Sequence, residues 1–214
     1  MERLISPTPD NWTHRRLDDL CRINGGASGS DLNAGDHDAD GIAVINTIDI
    51  NDGRVSDTPR TRISLEAARR LSRYQLAVGD ILLPRLSERI NHVIIGEREA
   101  GMLMGGSTIR IQVTETARTV LLPYYLHCYL MHPAVLEFLG QQVKQGIQPS
   151  LTQGSLKNLP VSLPPMYIQQ EIAEVARAFR NKIEAHERVV GLTRELCKQV
   201  VPQMVANEMT QLRA

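Results

Sequence analysis

The densest run of metal-ligand oxygens in this chain is DHDADG, Asp36 to Gly41. It matches the first half of a calcium loop, where alternating carboxylates and a glycine at the sharp turn wrap a hard cation. The bidentate glutamate that closes such a loop belongs at its twelfth position, and Thr47 stands there. The residues after Gly41 also read as a strand, so the expectation is an acidic, polar surface loop without a metal. Asp80, Glu97 and Arg98 form a loose echo of a nuclease site, with arginine where lysine is needed. Amino-methyl transfer needs an Asn/Asp-Pro-Pro-aromatic motif, but Leu163 to Tyr167 (LPPMY) begins with leucine. No G-x-x-x-x-G-K-[ST] phosphate loop occurs. His14, His37, His92, His127, His132 and His186 lack zinc spacing with a second ligand pair and read as packing residues. No catalytic residue and no cofactor are assigned.

What remains is charge. The net charge is zero, with 24 basic and 24 acidic residues. Residues 1–53 carry 4 basic and 10 acidic groups, whereas residues 54–98 carry 9 basic and 5 acidic. Arg54, Arg60, Arg62, Arg69, Arg70, Arg73, Arg85, Arg89 and Arg98 thus concentrate positive potential in one segment, where a phosphate backbone could be met. Ordinary solvated arginines are the other reading.

The elements that must position these residues follow from pattern. The 214 residues allow one or two domains, and a hydrophobic fraction of 42% with a mean hydropathy of -0.21 fits a soluble globular protein. Met1 to Ile5 is too polar for a signal peptide, and no apolar run approaches the roughly 18 residues of a membrane span. Cys21, Cys128 and Cys197 are odd in number and far apart, which points to the reducing cytoplasm. Gly41 to Ile50 reads as a strand with a turn at Asn51 to Gly53. Ile63 to Leu71 reads as a short helix. Leu76 to Leu86 puts a Gly-Asp turn in front of an apolar strand, and His92 to Gly96 reads as another strand. Ser107 to Thr114 is a further strand, with Ile109, Ile111 and Val113 alternating against Arg110, Gln112 and Thr114. Leu122 to Val143 reads as helix broken near His132-Pro133, and Lys144 to Leu159 as an ordered loop ending in a helical turn.

The tail has a different period. From Ile168 to about Val201 runs a helix of roughly 34 residues, or about 50 Å. Ile172, Ala176, Phe179, Ile183, His186, Val190, Thr193, Cys197, Val200 and Met204 step by four and three, a heptad seam. Gly191 weakens this helix by about 1 kcal/mol relative to alanine, and Pro202 is expected to kink or end it. The seam needs a partner: its own copy, another protein, or its own domain. The prolines of Asn158 to Pro165 (NLPVSLPP) fix φ at three points and set an extended entry to the helix. The fold expected is α+β: a mixed, strand-rich domain over 1–165, then one long helical arm over 166–214.

These pieces resemble the specificity subunit of type I restriction-modification systems. Asn11 to Gly26 (NWTHRRLDDLCRINGG) looks like that family's opening tryptophan, leucine-rich turn and glycine pair. Gly41 to Val55 looks like its first core strand and acidic turn, and Leu76 to Arg85 like its Gly-Asp-Ile-Leu strand. Pro123 to Leu139 looks like its Tyr-Leu helix, and Ser150 to Val175 like the junction between recognition domain and helix. The usual subunit carries two recognition domains and two long helices; this chain holds one of each, with no internal repeat.

The resemblance implies that loops and strand ends meet the DNA major groove, where arginine suits guanine, Asn and Gln suit adenine, and Ser and Thr serve either. Candidate base contacts are Arg85, Arg89 and Asn91 in the first polar segment. In the second they are Lys144, Gln145, Gln148, Ser150 and Thr152; Arg60 and Arg62 are candidates for phosphate. The resemblance further implies a homodimer through the seam that reads a split palindrome. Its partners would be double-stranded DNA, methyltransferase subunits carrying S-adenosylmethionine, and a restriction subunit in phage defence. The exposed faces of the long helix and of Leu122 to Val143 are candidate docking surfaces for the methyltransferase. A stand-alone dimeric DNA-binding regulator and a nuclease remain as alternatives.

Overall fold

The computed structural model describes residues 4–5, 9, 11–29, 31–85, 91–143 and 150–211, with side chains through 205. The chain divides into two units, Met1–Glu171 and Ile172–Ala214. In chain order the elements are β1 (Thr13–Arg16), α1 (Leu17–Leu20), β2 (Cys21–Gly25), β3 (His37–Ile45), β4 (Ile50–Asn51), β5 (Arg54–Val55) and β6 (Thr61–Ile63). Then come α2 (Leu65–Arg70), β7 (Ile81–Pro84), β8 (Val93–Ile94), β9 (Leu103–Met104) and β10 (Thr108–Val113). Last are α3 (Pro123–Leu130), α4 (Pro133–Gln141), α5 (Gln153–Lys157), β11 (Pro160–Leu163) and α6 (Met166–Gln211).

Two larger sheets, beside the two-stranded pairs β1-β11 and β4-β5, build the first unit among the described residues. One is antiparallel, ordered β2-β10-β7-β8. The other, β6-β3-β9, is mixed: β3 runs antiparallel to β6 and parallel to β9. Alternation along β3 and β9 serves two cores. Ile45 and Met104 join Ile50, Val55, Leu82 and Val93 on one face. Val44 and Leu103 join Ile63, Ala67 and Leu71 on the other. Helix α2 starts where the Ser64 hydroxyl accepts from Ala67 N, and it ends on Arg69 and Arg70, which suit the negative end of its dipole. Pro133 separates α3 from α4, since it has no N–H to continue a helix and is well placed to begin one.

Four local expectations change and one gains a partner. Residues 41–50 are not one strand: β3 ends at Ile45, and a 3-10 turn, Thr47–Asp49, leads into β4. The acidic run is not a loop, because β3 already begins at His37 and carries a bulge in which His37 and Ile42 both face Ile63. Gly41 is needed there: a Cβ would sit 2.0 Å from the Ile63 carbonyl oxygen. Arg110 is not on a solvated face. Its strand is central, and the side chain is buried with Nη1 donating to Gln75 O at 2.8 Å. The Pro-rich entry is extended as expected, and it pairs as strand β11, whose Leu163 stands opposite Thr13 of β1. Pro202 neither ends the helix nor marks its last turn, since α6 runs to Gln211. Pro202 has no N–H to donate, and the helix continues past it.

Candidate nucleic-acid interface

The 3-10 turn Thr47–Asp49 is held from three directions. The Asp49 carboxylate accepts from Asn46 N at 2.9 Å and from Arg60 N at 3.0 Å. Ser107 Oγ accepts from Thr47 N at 2.9 Å, and the Thr47 hydroxyl donates to Ser107 O at 2.7 Å. That same carbonyl accepts from Arg85 N at 2.8 Å. The Arg85 carbonyl in turn accepts from Leu151 N at 2.9 Å. Backbone segments around residues 46–49, 60, 85, 107 and 151 therefore form one connected cluster. The close approach of the 26–28 and 104–107 segments beneath it requires glycine: a Cβ on Gly26 would lie 2.1 Å from Gly105 O.

The cluster brings together Arg60, Arg85, Ser150 and Thr152 from the sequence-derived candidates. Arg60 and Arg85 are exposed, and neither makes a side-chain hydrogen bond among the described residues. Thr152 caps α5: its Oγ1 accepts from Ser155 N at 3.1 Å. Gln153, with its amide oriented to fit, ties α5 to β2 through Ile23 O and Gly25 N. Arg62 is half-buried and donates from Nη1 to Gly41 O at 2.8 Å, beside the bulge and apart from the cluster. Asn91 caps the β4–β5 hairpin, its Oδ1 accepting from Gly53 N at 3.1 Å. That turn puts Asp52 at φ 49° and Gly53 at φ 72°, as a type I′ hairpin requires. Arg89, Lys144, Gln145 and Gln148 lie outside the described residues.

Sequence reasoning missed Thr47, Asp49 and Ser107. Asn46 with Asp49 three residues on is a helix-start signal that could have flagged the turn. Ser107 had no such signal, because its role depends on residues about 60 positions away.

Two arginines of the basic segment pair with the acidic one. Arg70 pairs with Asp36 at 2.6 Å and Arg73 with Asp31 at 2.7 Å. Arg98 pairs with Asp57 and, at 2.7 Å, with Glu99. Asp31 is held below the ordinary aspartate range first by the Ser28 backbone N–H and hydroxyl, then by Tyr74 and Arg73. Asp36 is lowered by the Asn33 N–H and then by Arg70. The nuclease echo dissolves in the same way: Asp80 is buried, accepting from Ala77 N and Gln112 Nε2, while Arg98 is committed to Asp57, Glu99 and Val55 O. Among the described residues no group of three His, Cys, Asp or Glu could hold a metal ion.

A family model described as the type I restriction modification DNA specificity domain matches residues 9–190. This chain belongs to that family. The family is one of sequence recognition and not of catalysis. The EcoBI specificity subunit of Escherichia coli is 25% identical over 206 residues, covering 94% of this chain and 43% of that protein. A Methanocaldococcus jannaschii protein, provisionally named the type I restriction enzyme MjaX specificity subunit, is 26% identical over 182 residues, covering 84% of this chain and 42% of that one. Among solved structures, the type I S subunit from M. genitalium superposes with a TM-score of 0.62 at 14% identity, over 93% of this chain and 47% of that one. The HsdS subunit from Thermoanaerobacter tengcongensis gives 0.57 at 19% identity, over 86% and 41%. These two share the fold of the specificity domain. The chain spans less than half the length of each relative.

Proposed function

We propose that this specificity domain chooses the DNA sequence for a type I restriction-modification methyltransferase and positions catalytic subunits that are separate chains. The observation that supports the reading is the cluster at Ser107 O, which ties the backbone at Arg85 and Leu151 to the turn whose Asp49 holds Arg60, within a DNA specificity domain. Base contacts from Arg85 and the Ser150–Thr152 segment would specify, and Arg60 and Arg62 would hold phosphate. S-adenosylmethionine belongs to the partner, which transfers its methyl group to adenine N6 on a flipped base. A restriction subunit joins the same complex, and phage defence in the cytoplasm is its setting.

The seam of α6 supports pairing with a second copy. Phe179, Ile183, Val190, Val200 and Met204 are all exposed, Phe179 at 64%. A twofold pair would read one half-site twice in inverted orientation, giving a palindrome interrupted by a fixed spacer. Recovery of the tagged chain from its native host, with the mass of the complex measured, tests both claims. Two copies with methyltransferase subunits are expected. A monomer would remove the dimer, one copy paired with a different specificity chain would replace it, and recovery without a methyltransferase would remove the proposed role.

A further inference from the structure

The 3-10 turn at the cluster presents one apolar side chain. Ile48 is 54% exposed at its middle, between Thr47 and Asp49. Its backbone cannot yield easily. Thr47 is fixed to Ser107 by two hydrogen bonds, Asp49 accepts from Asn46 and Arg60, Ser56 N donates to Asp49 O at 2.8 Å, and Asn51 Nδ2 reaches Ile48 O at 3.4 Å. Asp49 itself is 2% exposed. The bonded turn thus holds the isoleucine at a fixed position on the cluster's surface. Two exposed arginines belong to the same cluster: Arg60 N donates to the Asp49 carboxylate, and Arg85 N donates to the Ser107 carbonyl that also takes the Thr47 hydroxyl.

We infer that Ile48 is a specificity-determining residue that contacts the C5-methyl group of a thymine in the major groove. This rests on the recognition role proposed above. An apolar contact with that methyl is how a side chain without donors or acceptors distinguishes thymine. Flanking arginines supply the positive charge that brings such a contact to the duplex. The alternative use of an isoleucine on DNA is a wedge between base pairs. A wedge inserts its whole side chain between bases, and Ile48 is exposed only to 54% on a turn fixed by its hydrogen bonds.

The test uses the full chain with its methyltransferase subunits and a pool of randomised DNA duplexes, sequencing the bound fraction. Wild type is expected to enrich a motif containing an A·T pair. Ile48→Ser is expected to lose about three- to tenfold of the preference at that pair alone, the size of one buried methyl contact. Replacing that thymine by deoxyuridine is expected to weaken wild type by the same factor and leave Ile48→Ser unchanged, a readout independent of how the variant folds. A wild-type motif without thymine, an unchanged preference in Ile48→Ser, or equal binding to the deoxyuridine duplex would overturn the inference. If wild type enriched no motif, the recognition role itself would fall.

Discussion

Arg85 and Thr47 meet at one acceptor: the Arg85 N–H and the Thr47 hydroxyl both donate to the Ser107 carbonyl, at 2.8 and 2.7 Å. The end of β7 and the turn after β3 are thereby fixed to each other through a third segment. Thr47→Val keeps the shape and removes the hydroxyl donor. It is expected to cost about 1 kcal/mol of stability. If the cluster is the reading surface, the variant loses more affinity for its selected duplex than for random DNA. A thermal melt alongside paired binding titrations checks both.

Asp49 organises that turn from inside. Asp49→Ala leaves the part-buried Asn46 and Arg60 N–H groups without their acceptor. A loss of about 2 kcal/mol is expected, on the order of one per stranded group, the low end because both are part-buried. Chemical denaturation measures it, and a loss under 0.5 kcal/mol would contradict the assignment.

Gln169 is fully buried in the first turn of α6. Its Oε1 accepts from Leu122 N at 2.9 Å, and its Nε2 donates to Val120 O at 2.8 Å and Pro164 O at 2.9 Å. Gln169→Glu removes both donations and at neutral pH sets a carboxylate against two carbonyls. The variant is expected to be strongly destabilised at pH 7 and to recover part of the loss on acidification, as the carboxyl becomes a donor. Melting temperatures across that range decide it.

Acid acts in the opposite direction on the Asp31 and Asp36 pairs. Both carboxyls lie below their unfolded value, so their stabilisation is complete above the ordinary aspartate range and is lost as pH falls through the lowered values. Wild type is expected to lose melting temperature over that window. The double variant Asp31→Asn, Asp36→Asn should show a shallower fall. An identical slope would mean that these pairs contribute nothing.

The seam offers a chemical probe. Cys21 is buried and its thiol is pushed up to about 12, so it should resist alkylation at mildly alkaline pH; Cys197 is exposed on α6. Ile183→Glu places a charge in the seam and is expected to convert a dimer to a monomer in analytical ultracentrifugation. Labelling of Cys197 should then accelerate, while Cys21 stays unreactive. Equal labelling rates would argue against a paired seam.

Short-range signals were legible in the sequence. Ser64 as a cap, Pro133 as a break, the turn at Asp52-Gly53 and the heptad step of the long helix all depend on residues within a few positions of each other. These local preferences specified the α+β class, the helix pair and the seam. The tertiary structure decided what distance along the chain hides. Thr13 pairs with Leu163, Arg110 becomes buried because its strand is central, and Asp31 and Asp36 meet Arg73 and Arg70. The candidate surface belongs to this second class. Thr47, Arg85 and Leu151 become neighbours only when strands far apart in the chain are packed, since backbone hydrogen-bonding groups are alike at every residue and carry no sequence label.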